Sequence, residues 1–404
     1  MFHIALPVVL VSAFAAHAAE ALKIGVLEDT SGGFASAGIA KLQAVQLAAA
    51  EINAKGGVAG RPIQVVAYDT QSENTRYQEM ARRLIQQDKV DVVFGGYTSA
   101  SREAIRPIVD RSKMLYFYNN EYEGGVCDAN VFVTGPVPEM QFGTLIPWLV
   151  KQYGPKAYYI GADYNFGQIS GEWVKQYLKE SGGSLVGEEY IPLSVSQYSQ
   201  TIANIQKAKP DFVVAIMVGP NQVSFFEQQG AAGLNLPMAS SIAVAASYEH
   251  KRFKPPAMSG MHVPANFVDE LGTPASNSFI ARFKAKFPDS PYVGQLAVDS
   301  YNATYLYAEA VKRAQTSEKI AVRKALEGGD ACFEGPGGKV CIDAKSHHTS
   351  MPIYLAQVQK DHSIQIPQRW SEVKPTWLPS VGCDLTRKDQ FTQYTPGTAP
   401  KAGK

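Results

Sequence analysis

The sequence has almost no net charge. Its 404 residues include 38 Lys and Arg against 37 Asp and Glu, which leaves a net charge of +1. This balance provides no overall field to attract nucleic acid or an anionic membrane, so we expect no nucleic-acid partner. At roughly 100 to 200 residues per domain, the length predicts about two or three domains, enough for a cleft between lobes.

Signatures of the common enzyme classes are also missing. The sequence has no Gly-x-Ser-x-Gly elbow, no Gly-x-x-x-x-Gly-Lys phosphate loop, no His-Glu-x-x-His helix and no Gly-x-Gly-x-x-Gly fingerprint. Asp29, Thr30 and the following Ser31-Gly32 superficially resemble the Asp-Thr-Gly of aspartic proteases. That chemistry needs a second carboxylate to share a proton, and the sequence has no second copy. We therefore expect a binding protein without cofactor or metal, and not an enzyme.

One long apolar run opens the chain. Residues 4–16 read IALPVVLVSAFAA, which fits the core of a signal peptide and is too short to span a bilayer. Ala16-His17-Ala18 supplies a cleavage site, although no Lys or Arg precedes the run. We predict that residues 1–19 are a signal peptide and that the mature chain is periplasmic; the alternative is a buried N-terminal helix. No other long apolar run follows, so we expect no membrane-embedded segment. No cysteine lies near the cleavage point, so we expect no lipid anchor.

Cysteine is scarce, with four residues in the chain. Export favours disulfides. Cys332 and Cys341 flank a Gly- and Pro-rich segment that predicts a hairpin, which would bring their sulfurs together. Cys127 and Cys383 remain for a second bridge, although four cysteines allow several pairings. The alternative is a metal site, whose spacing fits no standard zinc module, formed by Cys332, Cys341, His347 and His348.

Short apolar runs alternate with helical patterns along the mature chain. The first set of predicted strands covers residues 22–27, 63–68, 90–94 and 114–118, and the second covers 157–161, 185–191, 212–217 and 238–242. Such alternation predicts an α/β fold with two doubly wound parallel sheets, each covered by helices on both faces.

Helical patterns after the second set predict that the chain returns to complete the first lobe. We assign residues 20–137 with 264–345 to the first lobe, and residues 138–263 with 346–380 to the second. The C-terminal tail, residues 381–404, is rich in Pro, Gly and Thr and is predicted to be a surface segment or partly disordered.

Open α/β sheets bind ligands beyond the carboxyl ends of their strands. After the third predicted strand, Tyr97, Thr98 and Ser99 lead into a helix. Backbone N–H groups at a helix N-terminus favour a carboxylate or a carbonyl oxygen, with Ser99 or Ser101 as an extra donor. Helix capping by these hydroxyls uses the same geometry and stays open as the alternative.

Aromatic and neutral polar residues follow other strands in both lobes. Together they predict a small, mostly uncharged polar solute held between the lobes. The candidate ligand-binding residues are Tyr97, Thr98, Ser99, Tyr118, Asn119, Asn120, Tyr164, Phe166, Gly219 and Asn221.

Motifs spread over nearly the whole mature chain resemble the type I periplasmic solute-binding proteins of ABC transporters, the branched-chain amino acid superfamily. They are Ile24-Gly25, Ser31-Gly32, Gly38, Glu51-Ile52-Asn53, Gly56-Gly57, Gly60, Asp69 and the loop 95–101. A further set looks like the branch that binds urea and short-chain amides: Tyr97-Thr98-Ser99, Arg102, Tyr118, Tyr122-Glu123-Gly124, Asn130-Val131 and Asp163-Tyr164.

The resemblance implies two lobes joined by a three-stranded hinge, closing over a solute that is handed to an ABC-transporter permease. It places Tyr97, Ser99 and Tyr118 on the first-lobe side of the pocket and Tyr164 on the second-lobe side. We therefore expect a periplasmic substrate-binding protein for urea, a short amide or a related compound. The alternatives are a branched-chain or other amino-acid binding protein, a ligand-sensing regulatory receptor of the same fold, and an exported amidohydrolase.

Overall fold

The computed structural model describes residues 20–244, 249–255, 257–290, 292–387 and 390–398. The predicted signal peptide lies outside these residues. Strands and helices alternate through most of the chain, as the sequence predicts.

The strands are β1 (Leu22–Glu28), β2 (Ile63–Asp69), β3 (Val92–Gly95), β4 (Tyr116–Tyr118), β5 (Val126–Asp128), β6 (Val131–Val133), β7 (Lys156–Ala162), β8 (Ser184–Ile191), β9 (Phe212–Ile216), β10 (Met238–Ala239), β11 (Met261–Ala265), β12 (Cys332–Gly335), β13 (Gly338–Ile342), β14 (Thr349–Val358), β15 (Ile364–Val373) and β16 (Phe391–Gln393).

The helices are α1 (Ala35–Ala54), α2 (Asn74–Gln86), α3 (Ser99–Ser112), α4 (Pro138–Tyr153), α5 (Asn165–Glu180), α6 (Ser199–Ala208), α7 (Gly219–Ala231), α8 (Glu249–Arg252), α9 (Pro274–Lys286), α10 (Gln295–Ala314), α11 (Lys319–Leu326) and α12 (Trp377–Ser380), with a 3₁₀ turn at Asp269–Leu271.

The first lobe is built on a five-stranded sheet in the order β2-β1-β3-β4-β6, and all four pairings in it are parallel. Its central strands are buried on both faces, which explains why Val92, Val93 and Phe94 form a continuous apolar run. This is the doubly wound arrangement that the sequence predicts.

The second lobe is built on a nine-stranded sheet. Strands β8, β7, β9, β10 and β11 are parallel to one another, and β14 continues the sheet in the antiparallel direction. Strand β14 also pairs with β13 and β15, and β12 pairs with β13. The predicted alternation therefore holds, with antiparallel strands added at one side.

Strand β14 connects the two sheets. Its end pairs with β11 through Tyr354 to Gln357, whereas its start pairs with β13. Directly before β14, His348 forms an isolated bridge with Val133 of β6, the edge strand of the first sheet. This connection agrees with a hinge of several strands, while the residue boundaries of the two lobes stay a prediction.

Both predicted disulfides are present. Cys332 and Cys341 face each other across the β12–β13 hairpin and are bonded, and Cys127 is bonded to Cys383. The alternative metal site is wrong, because its two cysteines are bonded to each other. In addition, both ring nitrogens of His348 are hydrogen-bonded, one to the Tyr122 hydroxyl and the other to the carbonyl of Ser346. Among the described residues, no group of three or more His, Cys, Asp or Glu side chains is arranged to hold a metal ion.

Candidate functional site

Residues from both lobes enclose a small cavity at the carboxyl ends of the strands. It is lined by Tyr97, Ser99, Tyr118, Asn120, Glu121, Tyr164, Phe166, Val218 and Ile242. Its volume is about 10 Å³, close to the space that one water molecule needs. The residues of the two lobes are thus nearly in contact here.

Six of the ten predicted binding residues line this cavity, and the other four lie elsewhere. Thr98 Oγ1 accepts a 3.0 Å hydrogen bond from Ser101 N and so caps α3. Gly219 begins α7, where a Cβ would lie 2.9 Å from the Phe34 ring. A role of these two residues in ligand binding stays a prediction.

Asn119 and Asn221 are the other two predicted residues outside the cavity lining. Both are buried, and both amide groups have no hydrogen-bond partner among the described residues. Burying an unsatisfied amide is costly. Asn119 and Asn221 follow the ends of β4 and β9, and their role in ligand binding stays a prediction.

The first-lobe wall is organised around the carbonyl of Tyr97. This oxygen accepts hydrogen bonds from the hydroxyl of Tyr118 at 2.8 Å and from Nδ2 of Asn120 at 2.6 Å. Because the carbonyl can only accept, the amide orientation of Asn120 is fixed, and its Oδ1 is buried without a partner among the described residues. Asn120 therefore offers a hydrogen-bond acceptor at the cavity.

Ser99 also offers an acceptor. Its Oγ donates a 2.6 Å hydrogen bond to Oε2 of the buried Glu123, whose Oε1 lies 2.7 Å from Arg102 Nη2. Burial alone would raise the pKa of Glu123, but Arg102 and the hydrogen bonds of Arg102 and Ser99 lower it below the usual value. The ionised carboxylate accepts this hydrogen bond, so the Ser99 hydroxyl donates to Glu123 and not into the cavity in this structure.

Glu121 also lines the cavity, although it is not among the binding residues predicted from the sequence. It is buried, and Oε2 accepts a 3.2 Å hydrogen bond from Gln295 Nε2 at the start of α10. Burial raises the pKa of Glu121 to about 7, against the smaller opposing effect of Lys41. The Lys41 ammonium is itself 3.0 Å from Glu28 and 2.6 Å from the carbonyl of Gly96. No local signal separates Glu121 from the polar loop in which it stands.

The second-lobe wall is aromatic and aliphatic. Tyr164 and Phe166 stand at the start of α5, with ring centres 6.4 Å apart, and Val218 and Ile242 complete the wall. Burial raises the pKa of the Tyr164 phenol, and the nearby Tyr97 and Glu123 raise it further. Tyr164 therefore remains protonated and provides a hydroxyl donor opposite the first-lobe acceptors.

Comparison with known proteins identifies the family of the chain. Residues 21–363 match the family model described as periplasmic binding protein. The chain belongs to the periplasmic binding protein family. Membership confirms the predictions of a two-lobed α/β fold and of a solute-binding protein rather than an enzyme.

Relatives of this periplasmic binding protein differ in the ligands that their names record. The Leu/Ile/Val-binding protein homolog 7 of Brucella abortus (strain 2308) is 25% identical over 349 residues, covering 81% of this chain and 86% of that protein. Two solved structures share the fold. A solute-binding protein from R. palustris in complex with 4-hydroxybenzoate has a TM-score of 0.79 at 18% identity, over 89% of this chain and 99% of that one. A branched-chain amino acid transporter protein from Streptococcus pneumoniae with isoleucine has a TM-score of 0.73 at 20% identity, over 88% and 100%.

The family is periplasmic, in agreement with the predicted location. In the described part of this periplasmic binding protein, no helix is long and apolar enough to cross a membrane.

Proposed function

We propose that this periplasmic binding protein captures a small solute with an amide or urea group between its lobes and delivers it to the permease of an ABC importer. The observation that carries the proposal is the cavity where Ser99 and Asn120 of one lobe oppose Tyr164 of the other. Groups from two lobes that converge on one cavity are typical of a closing binding site.

The chemistry of the first-lobe wall favours a ligand with N–H groups. Ser99 Oγ, Asn120 Oδ1 and the Glu121 carboxyl group are all acceptors at the cavity. An amide or urea supplies the matching donors in one plane. Its carbonyl oxygen can accept from the Tyr164 hydroxyl and from the first turn of α3, whose N–H groups have no acceptor within the helix.

The size of the cavity favours a compact ligand. In the closed form the free space is about 10 Å³, so each added ligand atom requires a wider separation of the lobes. Phe166, Val218 and Ile242 leave room on the second-lobe side only for a short apolar group. Urea, formamide and acetamide meet these requirements with the least displacement.

An amino acid is the second candidate, because the curated relative is named for Leu, Ile and Val binding and Glu121 could accept an ammonium group. Its carboxylate could accept from the same Tyr164 hydroxyl and α3 N–H groups as an amide oxygen, but it carries no donor for Ser99 Oγ and Asn120 Oδ1. The arrangement therefore favours the amide.

The test is isothermal titration calorimetry of protein that has been unfolded, dialysed and refolded to remove any co-purified solute. The panel contains urea, formamide, acetamide, leucine, isoleucine and 4-hydroxybenzoate. We expect saturable binding of at least one of the first three and weaker binding of the others. Tight binding of leucine or 4-hydroxybenzoate without any binding of the amides or urea would overturn the ligand assignment.

A further inference from the structure

The C-terminal tail is docked on the first lobe, although its composition predicts a surface segment or disorder. Strand β16 pairs antiparallel with β5, and Cys383 is bonded to Cys127 of the same strand. Farther along, Gly397 N donates a 2.9 Å hydrogen bond to Glu172 of α5 in the second lobe. Phe391 and Thr392 are exposed, so this part of the tail lies at the surface, which is one of the two expectations. Composition does not reveal its pairing, because the partner strand is distant in sequence.

Strand β16 covers two buried arginines of α3. Phe391 and Gln393 stand two residues apart and so point to one face of the strand, while Arg102 and Arg106 stand four apart and share one face of the helix. Arg106 Cζ lies 4.3 Å from the centre of the Phe391 ring. Gln393 reaches Arg102, with its Oε1 3.3 Å from Arg102 Nη2. The spacing of the strand thus matches that of the helix.

The amide of Gln393 adds hydrogen bonds to a buried ion pair. Its Nε2 donates to Glu123 Oε1 at 2.7 Å and to the carbonyl of Gly124 at 2.9 Å. Arg102 and Glu123 are both fully buried, and Arg102 Nη1 has no partner among the described residues. Both charges have lost their hydration, so the hydrogen bonds from Gln393 replace part of what water would supply.

The same carboxylate orients the solute site. Glu123 Oε2 accepts from Ser99 Oγ, the acceptor at the cavity, while Glu123 Oε1 accepts from Arg102 and Gln393. We infer that Gln393 is a positioning residue. It shields the Arg102–Glu123 pair from water and fixes the Glu123 carboxylate, which in turn holds the Ser99 hydroxyl in its binding orientation. This inference rests on the proposed binding of a solute between the lobes.

The first test compares Gln393→Ala with Thr392→Ala, a change at the neighbouring exposed position of the same strand. By calorimetry with acetamide, we expect Gln393→Ala to raise Kd roughly three- to tenfold and Thr392→Ala to leave it unchanged. In a Ser99→Ala background, Gln393→Ala should cause no further loss, since it acts through Ser99. An unchanged Kd in Gln393→Ala, or an equal loss in both backgrounds, would overturn the inference.

The second test needs no solute. Hydrogen exchange measured by mass spectrometry should show faster exchange at the start of α3 in Gln393→Ala than in the wild type or Thr392→Ala. Unchanged exchange there would overturn the inference even if acetamide does not bind. Failure of acetamide to bind the wild type, with faster exchange in Gln393→Ala, would instead count against the proposed ligand alone and support the positioning role.

Discussion

Ser99 Oγ donates a 2.6 Å hydrogen bond to Glu123 Oε2, away from the solute cavity. The Ser99 hydroxyl, at the N-terminus of α3, therefore presents its lone pairs and not its proton to the cavity. Instead of a donor for an anionic ligand, the first lobe presents lone pairs, to which Asn120 Oδ1 adds another acceptor. This hydrogen bond leaves a lone pair of Ser99 Oγ for a ligand N–H group, which supports the amide or urea that we propose.

Replacing Ser99 by Ala should weaken amide or urea binding by about 1 to 3 kcal/mol, because a ligand donor then loses its acceptor. Calorimetry measures the change. Ser112→Ala is the matched control on the same helix, since Ser112 Oγ bonds only the carbonyls of Ile108 and Val109. Equal affinities for Ser99→Ala and the control would place the ligand away from Ser99.

Replacing Tyr164 by Ala should impair both affinity and closure. Tyr164 belongs to the second lobe, so its contacts with a solute held by the first lobe exist only when the lobes are shut. A ligand favours the closed state only through such differential contacts. We expect Kd to rise roughly tenfold or more and solute-induced compaction in small-angle scattering to decrease.

Tyr190→Ala, on strand β8 of the same lobe, is the control for the Tyr164 change. Its hydroxyl bonds Glu188 rather than the cavity. Normal affinity and normal compaction in Tyr164→Ala would show that the site lies elsewhere.

Glu121 should make the unliganded protein less stable as pH rises. Burial raises its pKa from 4.5 to about 7, so between these values the folded state holds a proton that the unfolded state has released. The free energy of unfolding therefore falls over this range, by about 1 to 3 kcal/mol for this group. Glu28, whose pKa is raised to about 8 by burial, acts in the same direction, whereas His262, lowered to about 4 by burial, acts oppositely.

Comparison of wild type with Glu121→Gln isolates this contribution. Thermal unfolding at pH 4.5 and at pH 8, which adds no candidate ligand, should give a smaller decline for the variant, because the amide does not ionise. Parallel declines in the two proteins would mean that Glu121 keeps its usual pKa and is hydrated.

The long disulfide should stabilise the fold more than the short one. Cys127–Cys383 closes a separation of 256 residues, and Cys332–Cys341 a separation of 9. Chain entropy predicts contributions of about 5 and about 3 kcal/mol respectively. Thermal unfolding of the two Cys→Ala double variants shows which loss of stability is larger, and peptide mapping without reductant should recover both bridges. A greater loss on removing Cys332–Cys341 would contradict this account.

Local pattern was sufficient to predict much of the site. Tyr97, Ser99 and Tyr118 stand where buried strands end, and strand ends follow from short apolar runs. Glu121 could not be predicted in this way, because the residue that contacts it, Gln295 of α10, is remote in sequence.

Long-range pairing likewise decided the strands that differ from prediction. Strand β10 is only Met238–Ala239 instead of residues 238–242. Strand β14, for which the local pattern covers only residues 353–358, begins at Thr349 because its start pairs with β13. The docked tail depends on β5 and on Cys127, more than 250 residues earlier. Such partners cannot be found from the composition of the segment itself.

A crystal structure of the protein co-crystallised with acetamide or urea is the most direct test of the proposed amide or urea site. We expect one solute molecule between the lobes. One of its N–H groups should lie within hydrogen-bond distance of Ser99 Oγ or Asn120 Oδ1, and the Tyr164 ring should pack against the solute. A solute bound outside this cavity, or one whose carbonyl oxygen faces Ser99 Oγ and Asn120 Oδ1, would contradict the account.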